Sequence, residues 1–247
     1  MISDPPNPVR RLSCAVVLPA RNEAATVADV VRDSVSAFEG PVIVVDDDSS
    51  DETAQRAREA GAIVLPLSVR LGAWGATQAG LRYACRKGAQ RVATMDADGQ
   101  HHPDSIPRML EEMDAHDVDV VIGTYPQRLS WAKRIAWKYF RVLAGLEVLD
   151  FTSGLRVYGP SAVKLLTHKE ASLLDYQDVG VLMLLKRAGM RTLEVPVLMS
   201  DRQAGKSRVF SSWLVVAKYM LQTTLLCIAR VGRNGKSGLH KRIAVNP

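Results

Sequence analysis

The chain has 247 residues, 47% apolar and 23% charged, which excludes general disorder and fits one soluble globular domain with at most an appendage. Cys14, Cys85 and Cys227 lie far apart with no CxxC pair, which excludes a zinc module and a disulfide scaffold. The net charge of +6 comes from one end: residues 202–247 carry 9 Lys and Arg and no acid, while the preceding 201 residues hold 23 basic and 26 acidic groups.

Residues 1–12 are proline-rich and lack the apolar core of a secretory signal, so they predict a disordered tail on a cytoplasmic protein. Cys14–Leu18 is a short apolar run ending at Pro19, the pattern of a buried strand. Helical spacing follows from Ala24 to Phe38, with Asn22 or the Thr26 region near its start and Gly40-Pro41 beyond its end. Val42–Val45 reads as a second strand running into Asp46-Asp47-Asp48. Thr53 to Ala60 reads as a helix closed by Gly61, and Ile63–Leu65 as a third strand. Gly75 to Lys87 is helical, Arg91–Met95 is a fourth strand leading into Asp96-Ala-Asp98, Ile106 to His116 is helical, and Val118–Ile122 is a fifth strand. Strands alternating with helices predict βαβ crossovers and an α/β fold with a mostly parallel central sheet. Ligands of such sheets bind beyond the carboxyl ends of the strands. The polar clusters Pro19–Glu23, Asp46–Asp48 and Asp96–Gln100 fall there.

The turn after the first strand has no GxGxxG and the chain has no GxxxxGK[ST], so neither a dinucleotide site nor a P-loop is expected. Asp96 and Asp98 offer two hard oxygen ligands on one turn, suited to Mg²⁺ or Mn²⁺ with the remaining ligands from a diphosphate and water, and Gln100 adds a carbonyl oxygen. His101 and His102 are expected to face solvent before Pro103. Asp46–Asp48 is either a second cation site or, the preferred reading, one carboxylate that reads a ribose or base beside two that cap the next helix.

Val16-Val-Leu-Pro-Ala-Arg-Asn-Glu23, Val44-Val-Asp-Asp-Asp-Ser49 and Met95-Asp-Ala-Asp-Gly-Gln-His101 resemble the signatures of family 2 glycosyltransferases with the GT-A (nucleotide-diphospho-sugar transferase) fold. Leu71-Gly-Ala-Trp-Gly-Ala76, Asp150-Phe-Thr-Ser-Gly-Leu-Arg156 and Asp201-Arg-x-x-Gly-x-Ser-Arg208 are similar to motifs of its polyprenyl-phosphate branch, the dolichyl-phosphate mannosyltransferase type. The resemblance implies a single GT-A domain over residues 13–208 and inverting transfer of a sugar from a GDP-mannose- or UDP-glucose-type donor to a polyprenyl phosphate. It places Pro19, Arg21, Glu23, Asp47, Asp96 and Ala97 around the nucleotide and Asp96, Asp98 and Gln100 on the metal. Ser153, Arg156, Arg202 and Arg208 then meet the acceptor phosphate, and Asp98, Arg156 and Arg202 carry catalysis. Gly123-Thr-Tyr125 lacks an arginine the family often carries, and Lys133 or Arg134 is the expected substitute. Asp178 is either a base or sugar-hydroxyl reader, or the N-cap of a helix over Val179 to Ala188.

A phosphate monoester is already an anion at neutral pH, so such an acceptor needs no strong general base, only cations that aim it. A lipid acceptor requires a bilayer surface. Tyr125 to Leu146 carries Arg128, Lys133, Arg134, Lys138 and Arg141, with Trp131, Ile135, Tyr139 and Leu143 at four-residue steps, which predicts a basic interfacial helix or a stripe packed on the domain. Val209 to Ala229 is apolar but holds Lys218 near its middle, so it predicts a helix lying on the membrane or on a separate membrane-protein subunit rather than a span. Trp131, Trp137 and Trp213 fall in these two segments. With the basic end, residues 209–247 form an amphipathic appendage on the cytoplasmic face, and its apolar run argues for a membrane surface over nucleic acid. The alternatives are a family 2 enzyme acting on a saccharide or other hydroxyl acceptor, and a non-catalytic scaffold that retains the fold.

Overall fold

The structure is a computed structural model and describes residues 14–125, 137–139, 141–143, 145–173, 179–200 and 224. The expected 1–12 tail and 209–247 appendage lie outside the described residues, Thr224 apart. Among those described, no helix is long and apolar enough to cross a membrane.

Strand β1 (Cys14–Ala20) is followed by helix α1 (Val27–Ala37), β2 (Val42–Asp46), α2 (Thr53–Glu59), β3 (Ile63–Pro66) and α3 (Gly72–Arg86). Then come β4 (Arg91–Thr94), α4 (Ser105–His116), β5 (Val120–Thr124), β6 (Arg156–Tyr158), helices Pro160–Thr167 and Val179–Arg187, and β7 (Thr192–Pro196). The sheet runs in the order β3-β2-β1-β4-β6-β5-β7. Only β6 opposes its neighbours, pairing antiparallel with β4 and β5, so the mostly parallel α/β expectation holds.

β1 is apolar throughout because both faces of the sheet are covered. Ala15 and Val17 join the layer containing α3, whereas Val16, Leu18 and Ala20 join the layer containing α1 and α4. The period of two in a strand thus divides one apolar run between two cores. Gly80 allows α3 to press onto the sheet, since a Cβ there would sit 2.3 Å from Val17 Cγ1. Trp74 Nε1 donates to Ala171 O (2.7 Å) and Gln78 Nε2 to Leu166 O (2.8 Å), tying α3 to the chain that follows β6.

Two expectations are corrected here. Trp137 is 3% exposed, packs in the core and meets Phe151 edge-on at 5.8 Å, so it is no interfacial residue. Nearby, Tyr139 is exposed while Leu143 packs against the same core, and Trp131 and Ile135 lie outside the described residues. Trp137→Ala therefore lowers unfolding free energy by about 3–5 kcal/mol in a urea titration, whereas an indole serving a lipid surface gives a small change. The second is α3, which starts at Gly72 where the spacing placed its start at Gly75; β6, the helix Pro160–Thr167 and β7 drew no expectation from local pattern.

Cys14 is buried, and desolvation pushes its thiol up to about 11, outweighing the hydrogen bonds that favour the thiolate. Iodoacetamide at mildly alkaline pH is expected to label the exposed Cys85 and spare Cys14 until denaturant is added, as peptide mass mapping reads.

Candidate active site

The order of strands reverses direction at β1: the chain goes outward to β2 and β3, then returns to β4 on the other side. That reversal opens a crevice at the carboxyl ends of β1 and β4, the position where open α/β sheets take ligands. Because β6 runs opposite to β4 and β5, its entering loop reaches the same edge. The segments 21–23, 47–48, 96–101, 150–155 and 197–200 all come to it.

The turn after β1 is locked to the turn after β2. Asn22 N donates to Ser49 Oγ (2.9 Å) and Ser50 N donates back to Asn22 Oδ1 (2.9 Å), while Asn22 takes the left-handed conformation (φ 52). Glu23 N donates to Thr53 Oγ1 (2.8 Å) and Ala24 N to Asp51 Oδ2 (3.2 Å). Pro19, Arg21 and Glu23 are thereby held half-buried at the crevice. Thr26 Oγ1 donates to Ala97 O (2.8 Å), joining the start of α1 to the Asp-x-Asp turn.

Within that turn the two acids differ. The Asp96 side chain is 45% exposed, whereas Asp98 is 7% exposed and accepts a hydrogen bond from Gln100 N at 3.1 Å. A Cβ on Gly154 would lie 2.4 Å from Asp96 Oδ2 and 2.6 Å from its Cγ, so the absence of a side chain there creates the seat the carboxylate occupies. Thr94 Oγ1 donates to Gly154 O (3.0 Å) across 60 residues of sequence and fixes that seat to β4. The loop is clamped at its start as well. Glu194 on β7 accepts from Leu149 N and Asp150 N at 2.9 Å, and burial holds its carboxyl above the ordinary value against the pull of those donors.

The donor set is oxygen-rich and fits Mg²⁺ or Mn²⁺. Among the described residues no group of three or more His, Cys, Asp or Glu comes together that could hold a metal by itself.

Several placements differ from the sequence expectation. Arg156 is fully buried, with Nε donating to Ser153 O (3.0 Å) and Nη2 to Phe151 O (2.7 Å), so it braces the loop from within where an open position at the crevice was expected. Ser153 is buried too, and its hydroxyl donates to Leu155 O. Both oxygens of Asp47 accept backbone amides, from Leu71 (2.6 Å) and Gly72 (3.0 Å), so this acid shapes the crevice wall where a nucleoside contact was expected. Asp46 accepts from Ser49 N, and the start of α2 is bonded by Asp51 through Thr53 N, not by the Asp46–Asp48 run. His102 is exposed as expected, with Nε2 2.8 Å from Ser200 Oγ, but His101 is buried beside Asp96. Arg134, Asp178, Arg202 and Arg208 lie outside the described residues. Sequence reading missed Thr26, Thr94, Gly154 and Glu194; only Gly154 lay inside a motif that had drawn notice.

Residues 15–162 match the family model described as Glycosyl transferase family 2. The chain is 31% identical over 212 residues to the undecaprenyl-phosphate mannosyltransferase of Micrococcus luteus, covering 78% of this chain and 86% of that protein. It is 26% identical over 215 residues to the polyprenol monophosphomannose synthase of Mycolicibacterium smegmatis, covering 80% and 81%. The crystal structure of glucosyl-3-phosphoglycerate synthase from Mycobacterium tuberculosis in complex with Mn²⁺, uridine diphosphate and glucosyl-3-phosphoglycerate superposes with a TM-score of 0.67 at 20% identity, covering 96% of this chain and 88% of that one.

Proposed function

The chain belongs to glycosyl transferase family 2 and is a glycosyltransferase, and from that premise we propose that it transfers a sugar, with inversion, from a nucleoside-diphosphate donor to a polyprenyl phosphate. The observation that carries the reading is the Asp96 carboxylate seated on Gly154 at the switch crevice, with Asp98 and Gln100 on the same turn. The names of the two curated relatives support a lipid-phosphate acceptor, and the Mn²⁺ and uridine diphosphate held by the structural relative support the metal and donor class.

Asp96 and Asp98, with Gln100, are the residues that would hold Mg²⁺ or Mn²⁺. Such an ion supplies neutralisation of the charge that develops on a departing diphosphate. Pro19, Arg21, Glu23 and Ala97 line the nucleoside side of the crevice, and the loop gripped by Asp47 forms its wall. Arg134, Arg202 and Arg208 aim the acceptor phosphate, and an oriented anion attacking in line gains most of its rate from placement. Asp178 reads a sugar hydroxyl. The exposed Val142, Leu149 and Leu198, together with the basic C-terminal run, support attachment to the cytoplasmic membrane surface without a span.

The test is a matrix of donors and acceptors. GDP-mannose and UDP-glucose are each assayed with Mn²⁺ against undecaprenyl phosphate and against free saccharides. Transfer to the lipid phosphate, abolished by chelation, is the expected result. Transfer to saccharide alone, or turnover indifferent to chelation, overturns the proposal.

A further inference from the structure

The Asp-x-Asp turn is joined to the chain beyond β7. His101 forms a single antiparallel bridge with Met199, and Ser200 N donates to Gln100 O at 2.9 Å. This joint covers His101, whose side chain is 2% exposed. Inside, the imidazole faces an acid: Nε2 lies 3.8 Å from Asp96 Oδ2, within ion-pair reach though longer than a direct hydrogen bond. Its other nitrogen, Nδ1, is buried and has no hydrogen-bond partner among the described residues. An ionised carboxylate only accepts, so the ring proton belongs on Nε2, facing Asp96.

From this geometry we infer that His101 is a positioning residue for the Asp96 carboxylate. Gly154 seats Asp96 from one side by leaving it space. His101 Nε2 confronts the carboxylate electrostatically from another side, and the backbone bridge to Met199 fixes the segment that carries the ring. A half-exposed aspartate held less firmly samples more rotamers, and a cation pays for selecting one. Groups that orient a metal ligand without touching the metal commonly set its affinity by about 10–100-fold. The inference rests on the proposed cation role of Asp96.

The experiment titrates Mn²⁺ into the full-length protein, alone and with uridine diphosphate, by electron paramagnetic resonance. Comparison is made with His101→Leu, which keeps bulk and loses the N–H, and His101→Gln, whose Nε2 restores a donor at similar reach. The expected result is a loss of Mn²⁺ affinity of about 10–100-fold in H101L, largely recovered in H101Q, with the melting temperature in chelator alike for the two variants. A folded H101L that binds Mn²⁺ as the wild type does, or an H101Q as weak as H101L, overturns it. Should H101L fail to fold, long-range ¹H–¹⁵N spectra of the metal-free protein decide. An Nε2–H tautomer whose shift moves in Asp96→Asn supports the inference, and an Nδ1–H tautomer or an unmoved shift overturns it. A wild-type protein that binds no Mn²⁺ even with uridine diphosphate fails the cation reading itself, which separates that outcome from failure of His101 alone.

Discussion

Asp96→Asn lowers the rate of sugar transfer by about 10²–10³-fold with saturating donor, the scale on which a single preorganised charge at a developing anion is felt. The substitution keeps the shape of the side chain and its seat against Gly154, and it removes the charge that a divalent ion requires of its ligand. Because the Asp96 side chain is 45% exposed, losing its charge leaves the core untouched. The melting temperature measured in chelator is therefore expected to stay close to that of the wild type. Rates at several Mn²⁺ concentrations make the check sharper, since the loss is expected to persist when the metal is raised. A variant retaining more than half of wild-type turnover places the active carboxylate elsewhere and favours a scaffold that has kept the fold.

Gly154→Ala tests the same seat from the opposite side. Its new methyl group meets Asp96 Oδ2 at 2.4 Å and Oδ1 at 2.7 Å, closer than a methyl carbon approaches an oxygen, so one of the two must move. The Gly154 backbone is the harder to shift, because Thr94 Oγ1 grips its carbonyl and Arg156 ties the flanking Phe151 and Ser153 carbonyls. The displacement therefore falls on the Asp96 carboxylate, the end of a rotatable side chain. A displacement near 1 Å at a reacting centre costs about 10²-fold in rate, and that is the expected fall in turnover, accompanied by weaker Mn²⁺ binding. Stability is expected to change little, as the strain relaxes toward solvent. If instead the melting temperature collapses while residual activity per folded molecule is normal, Gly154 serves the loop and not the carboxylate.

Much of the sheet was legible locally. β1, β2 and β4 are apolar runs that end in polar clusters, and Gly61 and Gly88 stop their helices where pattern placed the stops. The sheet edge that gathers the polar clusters followed from where those runs end. What stayed hidden depends on partners distant in sequence. β6 is only three residues long, Arg156–Tyr158, and its opposed direction is set by the strands on either side. Arg156 was expected on a phosphate only because its motif resembles one of the polyprenyl-phosphate branch; the carbonyls it bonds are visible only once the loop is folded back over it. His101 read as exposed because nothing nearby in the chain covers it, and Met199 does so from 98 residues further along. Trp137 looked interfacial by residue type, but burial depends on which side of its helix Phe151 occupies.

The reversed direction of β6 has a consequence for how the molecule can be altered. The chain leaves β5 at Thr124 and returns at Leu149, where Glu194 grips its amide, so the intervening stretch is held at both ends by the sheet. Between those posts Trp137, Leu146 and Val148 plug into the core, so a segment grafted from another transferase must bring apolar side chains to these three positions if the strands beneath are to keep their register.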